Sequence, residues 1–311
     1  MNVTPDIAPV VFIIFNRPDL TQRVFDEIAR ARPKKLFIIA DGPREGRADD
    51  VDKCRATRAV VDQLSWDCEV FRNYSEENLG CRKRISSGLD WVFSLTERAI
   101  IVEDDCLPDQ TFFQYCTELL EVYKDDQRIG SINGSNMTHG RVTVEDSYYF
   151  SRYPFIWGWA TWRRVWDNYD VTISNWPSLR ETDWLNTVAY PEEFAHWINA
   201  FNQIHDKGLN AWGYQFVFLM WLQRQVSIQP GTNLISNLGF RSDATHTAGT
   251  SDVADLPREP LTFPLKHPKP LVLNSEADKI YTKEHCFREV RKRGIKRQLQ
   301  KIASWKYFSG K

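Results

Sequence analysis

The stretch "RAIIVEDDCLPD", Arg98–Asp109, decides the fold. Ile100, Ile101 and Val102 form a short β-branched apolar run that ends in Glu103, Asp104 and Asp105 and then in a Cys-Leu-Pro break. A run this short, apolar throughout and bounded by a breaker, reads as a strand buried on both faces. Three adjacent carboxylates at its end repel one another unless a cation compensates them. In an extended segment Glu103 and Asp105 project to one side and Asp104 to the other, so the three need not share one partner.

Outward from this strand the same unit recurs. "VVFIIF" (Val10–Phe15) precedes Leu20, Val24, Phe25 and Ile28 at helical spacing, and "LFIIA" (Leu36–Ala40) stops at Asp41-Gly42-Pro43. Helical patterns over Val51–Leu64 and Arg82–Leu95 flank a run at "CEVF"; "TFFQYCTELLEVY" reads as a helix and "IGSIN" as another strand. Strands alternating with helices predict an α/β fold, a mostly parallel, mixed and twisted sheet flanked by helices. Ligands of such sheets bind beyond the carboxyl ends of the strands. Asn16-Arg17, Asp41-Gly42 and the acidic triplet all fall at such ends.

The rhythm changes near Phe150. Nine of the twelve tryptophans lie between positions 157 and 221, and an irregular Pro-containing stretch runs from Asp252 to Pro270. The expected division is residues 1–150, residues 151–250, and an irregular linker with a basic helical tail over 251–311.

Composition narrows the class without naming a partner. The chain has 311 residues, 42% hydrophobic and 26% charged, with a net charge of −1, as in ordinary soluble globular proteins. Six scattered cysteines form no CxxC pair and no zinc-spaced cluster, which fits free thiols in a reducing compartment. The opening "MNVTPDIAPV" lacks the basic and apolar regions of a secretory signal, and no apolar run approaches the roughly 18 residues of a membrane span. The expected location is therefore cytoplasmic.

A hard divalent ion, Mn²⁺ or Mg²⁺, is the cation that suits oxygen ligands and shares its shell with phosphate. Its use would be to neutralise a diphosphate leaving group. No Gly-x-Gly-x-x-Gly follows the first strand and no Walker sequence is present, which argues against dinucleotide and P-loop sites. A nucleotide held by single polar groups remains, with Arg17 for phosphate charge and Asp41 for base or ribose. The plainer alternatives are a solvated acidic loop, an Arg17 that caps its own loop, and an Asp41 that only shapes a turn.

"APVVFIIFNRP", "LFIIADGPREG", "NLGCRKRISSGLDWVF" and "AIIVEDDCLPDQTFFQY", in this order, resemble the nucleotide-sugar-binding half of GT-A glycosyltransferases. The resemblance is closest to the N-acetylglucosaminyltransferase I group and its bacterial relatives in polysaccharide clusters, and covers about Pro9 to Thr247. It implies a nucleotide-diphospho-sugar transferase fold, with Asp105 binding the metal and Glu103 and Asp104 contacting the nucleotide sugar or its waters. It also implies nucleotide contacts from Arg17, Asp41 and Arg84; for Arg84 the plain alternative is an exposed helix charge. Residues 1–150 become the donor-binding half and 151–250 the acceptor and catalytic half.

In "YPFIWGWATWRRVWDNYD" most tryptophans read as core. The functional reading takes Gly158 as a point of close backbone approach and Trp157 or Trp159 as a border to the sugar, like the family's Gly-Trp element. At the end of the resemblance, "PGTNLISNLGFRSDATHT" offers His246 as a second metal or diphosphate ligand, accompanied by Arg241 and Thr245. An inverting transferase also needs a general base. The family places an Asp after a Trp where "NAWGYQF" has Gly213, so the base is open, with Asp183 and Asp206 as the nearest candidates.

From Glu276 to Lys311 eleven Lys or Arg face four Asp or Glu. Ile295, Leu299 and Ile302 stand at helical spacing among those cations, with Trp305, Tyr307 and Phe308 at the end. The tail reads either as a solvated terminal helix or as a peripheral contact with anionic lipid on the inner face of the membrane. No recognition motif supports nucleic acid.

The leading expectation is a metal-dependent, inverting hexosyl- or N-acetylhexosaminyltransferase. It would move a sugar from a nucleotide-sugar donor to a glycan or lipid-linked glycan hydroxyl in bacterial surface polysaccharide synthesis. The alternative is a catalytically silent nucleotide-sugar or carbohydrate-binding protein of the same fold. A sugar nucleotidyltransferase ranks below both, because "IIFNRPDLTQR" lacks a Gly-rich triphosphate loop with Lys.

Overall fold

Five β-branched or aromatic segments of the first half become strands: β1 (Val10–Ile14), β2 (Lys35–Ala40), β3 (Glu69–Tyr74), β4 (Arg98–Glu103) and the short β5 (Cys106–Pro108). The structure is a computed structural model and describes residues 6–138, 140–240 and 255–286. Helices α1 (Pro18–Ala31), α2 (Ala48–Val60), α3 (Gly80–Leu95) and α4 (Gln110–Val122) separate or follow these strands. Local chemistry sets their ends. Pro18 opens α1 with Asp19 in its first turn and Arg30 in its last, each favoured by the helix dipole. Asp109 caps α4 by accepting from the Thr111 N–H at 2.8 Å.

The second half adds β6 (Ile129–Asn133), β7 (Tyr148–Ser151), β8 (Trp159–Trp162), β9 (Val226–Pro230) and β10 (Ile235–Asn237). Its helices are the short α5 (Arg163–Trp166) and α6 (Trp176–Leu179), then α7 (Phe194–Lys207), α8 (Gly213–Leu222) and α9 (Ser275–Tyr281). Eight strands form one mixed sheet in the order β3-β2-β1-β4-β8-β6-β9-β7. The β1–β2, β1–β4, β2–β3 and β6–β9 pairs are parallel; β4–β8, β6–β8 and β7–β9 are antiparallel.

Register places the site. Ile14 lies opposite Ala40, and Ile13 opposite Glu103. The chain therefore leaves β1, β2 and β4 along one rim, which brings together Arg17, Asp41 and the carboxylates. Beneath that rim Val10–Phe12, Leu36–Ala40 and Ala99–Val102 are essentially inaccessible to solvent. Burial of this kind stabilises by about 1.5–3 kcal/mol per large apolar side chain. Most tryptophans of the second half are core, as expected of so aromatic a stretch. Trp159 and Trp166 pack on the sheet, and Trp176, Trp197 and Trp221 build a second cluster with Phe201 and Phe218. Among the described residues no helix is long and apolar enough to cross a membrane.

Candidate functional site

Asp104 is fastened to the end of β1. Its N–H donates to the Ile13 carbonyl at 2.9 Å, and its carboxylate accepts from the Phe15 N–H at 3.1 Å. Arg17, three residues beyond β1, reaches back across the rim. Its Nη2 pairs with buried Asp104, and its Nη1 donates to Asp105 Oδ2 at 2.9 Å. The loop carrying Arg17 is itself pinned, because Asn16 donates to buried Asp50 at 2.7 Å and Asp50 also accepts from Arg44. Glu103 is half-buried, and no described residue donates a hydrogen bond to it.

Charge is out of balance here. Burial and repulsion from Asp105 and Asp104 push the Glu103 carboxyl up to about 8, against the attraction of Arg17. Burial likewise raises Asp104 to about 6, although Arg17 opposes it. Burial disfavours the charge on Arg17 as well, but the two aspartates outweigh that and hold the guanidinium firmly protonated. One fixed cation among three carboxylates leaves a deficit of positive charge that a proton fills only partly.

Mn²⁺ and Mg²⁺ fit the donors at this rim. The oxygens are hard, Glu103 has no donor of its own, and Asp105 retains 16% of its side-chain exposure. Among the described residues no three His, Cys, Asp or Glu side chains converge as a ready-made cage. A hard divalent ion shared with phosphate needs only one or two protein carboxylates, so a cage is not required.

Asp105 also rests in a cradle supplied by residues far away in sequence. β5 pairs with β10, with Cys106 opposite Asn237, and the Leu238 N–H donates to the Asp105 carbonyl at 2.8 Å. A Cβ on Gly239 would stand 2.2 Å from Asp105 Oδ2, so only glycine leaves the carboxylate its place. Phe240, next in the chain, meets Trp157 edge-on at 5.7 Å. This cradle carried no local signal that sequence reasoning could have used, because it depends on a pairing across more than a hundred residues.

Asp41 sits at the same rim with a different set of duties. It is buried and accepts from the N–H groups of Gly42, Leu79 and Gly80 and from Asn78 Nδ2, at 2.9–3.1 Å. Both oxygens are engaged, so Asp41 ties the end of β2 to the start of α3. Arg84 departs from an exposed helix charge: it is 5% exposed and its Nη2 donates to the carbonyl and Oδ1 of Asn73, both at 2.7 Å. Burial lowers its pKa, nearby Asp41 opposes the shift, and its Nε has no partner. Cys81 was missed by sequence reasoning. Burial, with the charges of Glu103, Asp41 and Asp105 adding to it, pushes its thiol up to about 12.

The aromatic element is corrected in one respect. Trp159 is fully buried in β8, stacked on Trp212 at 5.6 Å and packed on Phe216 at 4.7 Å, so it presents no face to a sugar. Half-buried Trp157, joined to the Asp105 cradle through Phe240, is the tryptophan at the rim. Gly158 has φ +60°, and a Cβ there would meet Ile235 Cδ1 at 2.4 Å, so close approach is real but serves the packing of β10. Asp183 is exposed and accepts from Asn186 at 3.3 Å; Asp206 pairs with Arg180 at 3.2 Å and His205 at 2.9 Å. Neither bonds to a residue of the carboxylate cluster. Gly213 opens α8 with Ile156 Cδ1 2.8 Å from where a Cβ would fall, so a side chain there would have to displace the tip of Ile156. His246, Arg241, Thr245 and the basic tail beyond Cys286 lie outside the described residues. An open groove lined by Arg32, Lys34, Trp66 and Glu69 lies at the opposite end of the sheet, where β2 and β3 begin.

No family model and no curated protein sequence matches the chain. Among solved structures, the chain is similar to HddC from Yersinia pseudotuberculosis at 11% identity, with 51% of this chain and 80% of that one covered and a TM-score of 0.32. It is similar to 4-diphosphocytidyl-2C-methyl-D-erythritol synthase from Anaerococcus prevotii DSM 20548 at 10% identity, 57% and 84% coverage and a TM-score of 0.33. It is also similar to an apo UDP-glucose pyrophosphorylase at 10% identity, 73% and 93% coverage and a TM-score of 0.37. Likenesses this distant assign no substrate or reaction.

Proposed function

We propose that the chain is a metal-dependent glycosyltransferase of GT-A type that transfers a sugar, with inversion, from a nucleotide-diphosphate sugar to a glycan or lipid-linked glycan hydroxyl. The observation that carries this reading is the uncompensated negative charge at the carboxyl edge of the sheet, with Glu103 lacking a donor and Arg17 reaching into the same place. Mn²⁺ or Mg²⁺ at Asp105 would supply Lewis-acid stabilisation of the departing diphosphate. Arg17 adds a fixed positive charge for the same oxygens. Asp41 and Asn78 hold the turn at the start of α3, and Arg84 lies behind it, where a nucleoside would lie against the β2–β3 side of the rim. Trp157 borders the passage from donor to acceptor, which residues 151–250 would form. His246 is retained as a second ligand to the metal or diphosphate.

Asp183 and Asp206 remain the candidates for the base that accepts the acceptor hydroxyl proton, since Gly213 carries no side chain to accept it. Gly213 in that place is also what favours the second reading, a silent nucleotide-sugar-binding protein. Work in bacterial surface polysaccharide synthesis, at the cytoplasmic face and with the basic tail against anionic lipid, belongs to the proposal.

A thermal-shift panel of nucleotide sugars with and without Mn²⁺, run on wild type and Asp105→Ala, tests it. The proposal expects stabilisation by at least one UDP- or GDP-sugar that needs Mn²⁺ and is lost in the variant. Stabilisation by none of them sinks it, and binding without transfer to any glycan extract supports the silent reading instead.

A further inference from the structure

We propose that Arg17 is the resident counter-cation of the acidic rim, occupying the divalent ion's side of Asp105 until a nucleoside diphosphate draws the guanidinium away. The inference rests on the metal and diphosphate site argued above and adds an order to its filling.

The geometry is that of a competitor. Arg17 Nη1 donates to Asp105 Oδ2 at 2.9 Å while Nη2 holds Asp104, so one guanidinium spans the two aspartates. A divalent ion at Asp105 would either contest Oδ2 or take Oδ1, which among the described residues only the Cys106 thiol reaches, at 3.5 Å, and in both places it would face the guanidinium charge beside it. That repulsion is large at short range in a partly buried setting.

The loop is tied at several points, while among the described residues the guanidinium is held only by the two aspartates. Asn16 is tied to Asp50 at 2.7 Å, and Asp50 accepts from Arg44 Nη2 at 2.8 Å. The Arg17 carbonyl accepts from the Thr21 N–H at 2.9 Å, while its side chain makes no capping bond to α1. Apart from the two aspartates, no described residue holds the guanidinium. An arriving diphosphate offers it anionic oxygens in the bidentate geometry that arginine favours. Asp105 is then released to the metal.

Metal and nucleotide therefore bind with positive coupling, and linkage makes that coupling mutual. The metal by itself must expel Arg17, and the nucleotide by itself must draw Arg17 from its carboxylates. Together each removes the other's obstacle. Arg17 is thus a positioning residue whose removal should help one ligand while harming the other, a pattern that a purely structural arginine would not produce.

The test titrates Mn²⁺ into the full chain, following free Mn²⁺ by electron paramagnetic resonance, with no nucleotide, with UDP and with GDP. In wild type one nucleotide should tighten Mn²⁺ about tenfold or more. Arg17→Met should bind Mn²⁺ alone about tenfold tighter than wild type, by loss of the competing charge, and should lose most of the coupling. Equal or weaker Mn²⁺ binding by a folded Arg17→Met overturns the proposal. Should that variant unfold, Arg17→Lys serves: lysine reaches one aspartate instead of two, so Mn²⁺ alone should bind several-fold tighter. An affinity at or below wild type again overturns it. No Mn²⁺ binding by any of the proteins, with or without nucleotide, defeats the underlying site as well, whereas tight but uncoupled binding defeats this inference alone.

Discussion

Replacing Glu103 with glutamine should stabilise the ligand-free chain while weakening its site. Glu103 is half-buried, has no donor among the described residues, and titrates near 8 because burial and its two aspartate neighbours resist its charge. In the unfolded chain a glutamate titrates near ~4.3. The native state therefore holds a proton that the unfolded state releases across roughly pH 4 to 8, and native stability falls as pH rises through that window. At pH 7 the mismatch corresponds to about 4 kcal/mol, which solvent at the rim reduces to ~2 kcal/mol. Glutamine keeps the shape and carries no charge, so the variant should recover that amount, a rise in Tm of roughly 4 °C for a chain of this size. Scanning calorimetry of both proteins without ligand, at several pH values, is the assay. The gap should widen from acid to neutral pH and close towards pH ~4. With Mn²⁺ and a nucleoside diphosphate, wild type should gain more than the variant. A variant less stable than wild type at pH 7, or a gap that ignores pH, would refute the reasoning.

Gly239→Ala should displace the Asp105 carboxylate, since its Cβ would fall 2.2 Å from Oδ2, and weaken Mn²⁺ binding in the presence of nucleotide by about 10–100-fold, measurable by calorimetry. Asp50→Asn should cost about 2 kcal/mol at pH 7 in urea unfolding. Hydrogen bonding to Arg44 holds the buried Asp50 carboxyl down at about 2 against burial, so its contribution is present above the unfolded pKa and should vanish as pH falls towards about 2. Of Asp183→Asn and Asp206→Asn, one should abolish transfer while leaving the affinity for donor unchanged; full transfer by both removes them as bases.

The strands of the rim were legible because each is buried on both faces and therefore reads as an unbroken apolar run. "LFIIA" and "IGSIN" lie within a residue of the observed β2 and β6. The order of the sheet was not legible. β8, "WATW", slots between β4 and β6, and its four buried residues look in sequence like any other part of an aromatic core. The same blindness explains Trp159, whose neighbours in space, Trp212 and Phe216, lie some fifty residues away. At the site, Glu103, Asp104, Asp105 and Arg17 could be singled out because like charges after a buried strand demand an explanation. The Gly239 cradle and the position of Cys81 could not, because both follow from tertiary contacts.

The most direct measurement is of products. Purified chain is incubated with a UDP- or GDP-sugar that stabilises it, with and without Mn²⁺, and nucleotides are quantified by ion-exchange chromatography. The expected result is slow release of the nucleoside diphosphate that requires Mn²⁺ and disappears in Asp105→Ala. Formation of nucleoside triphosphate on adding pyrophosphate, or diphosphate release indifferent to both metal and Asp105, would contradict it.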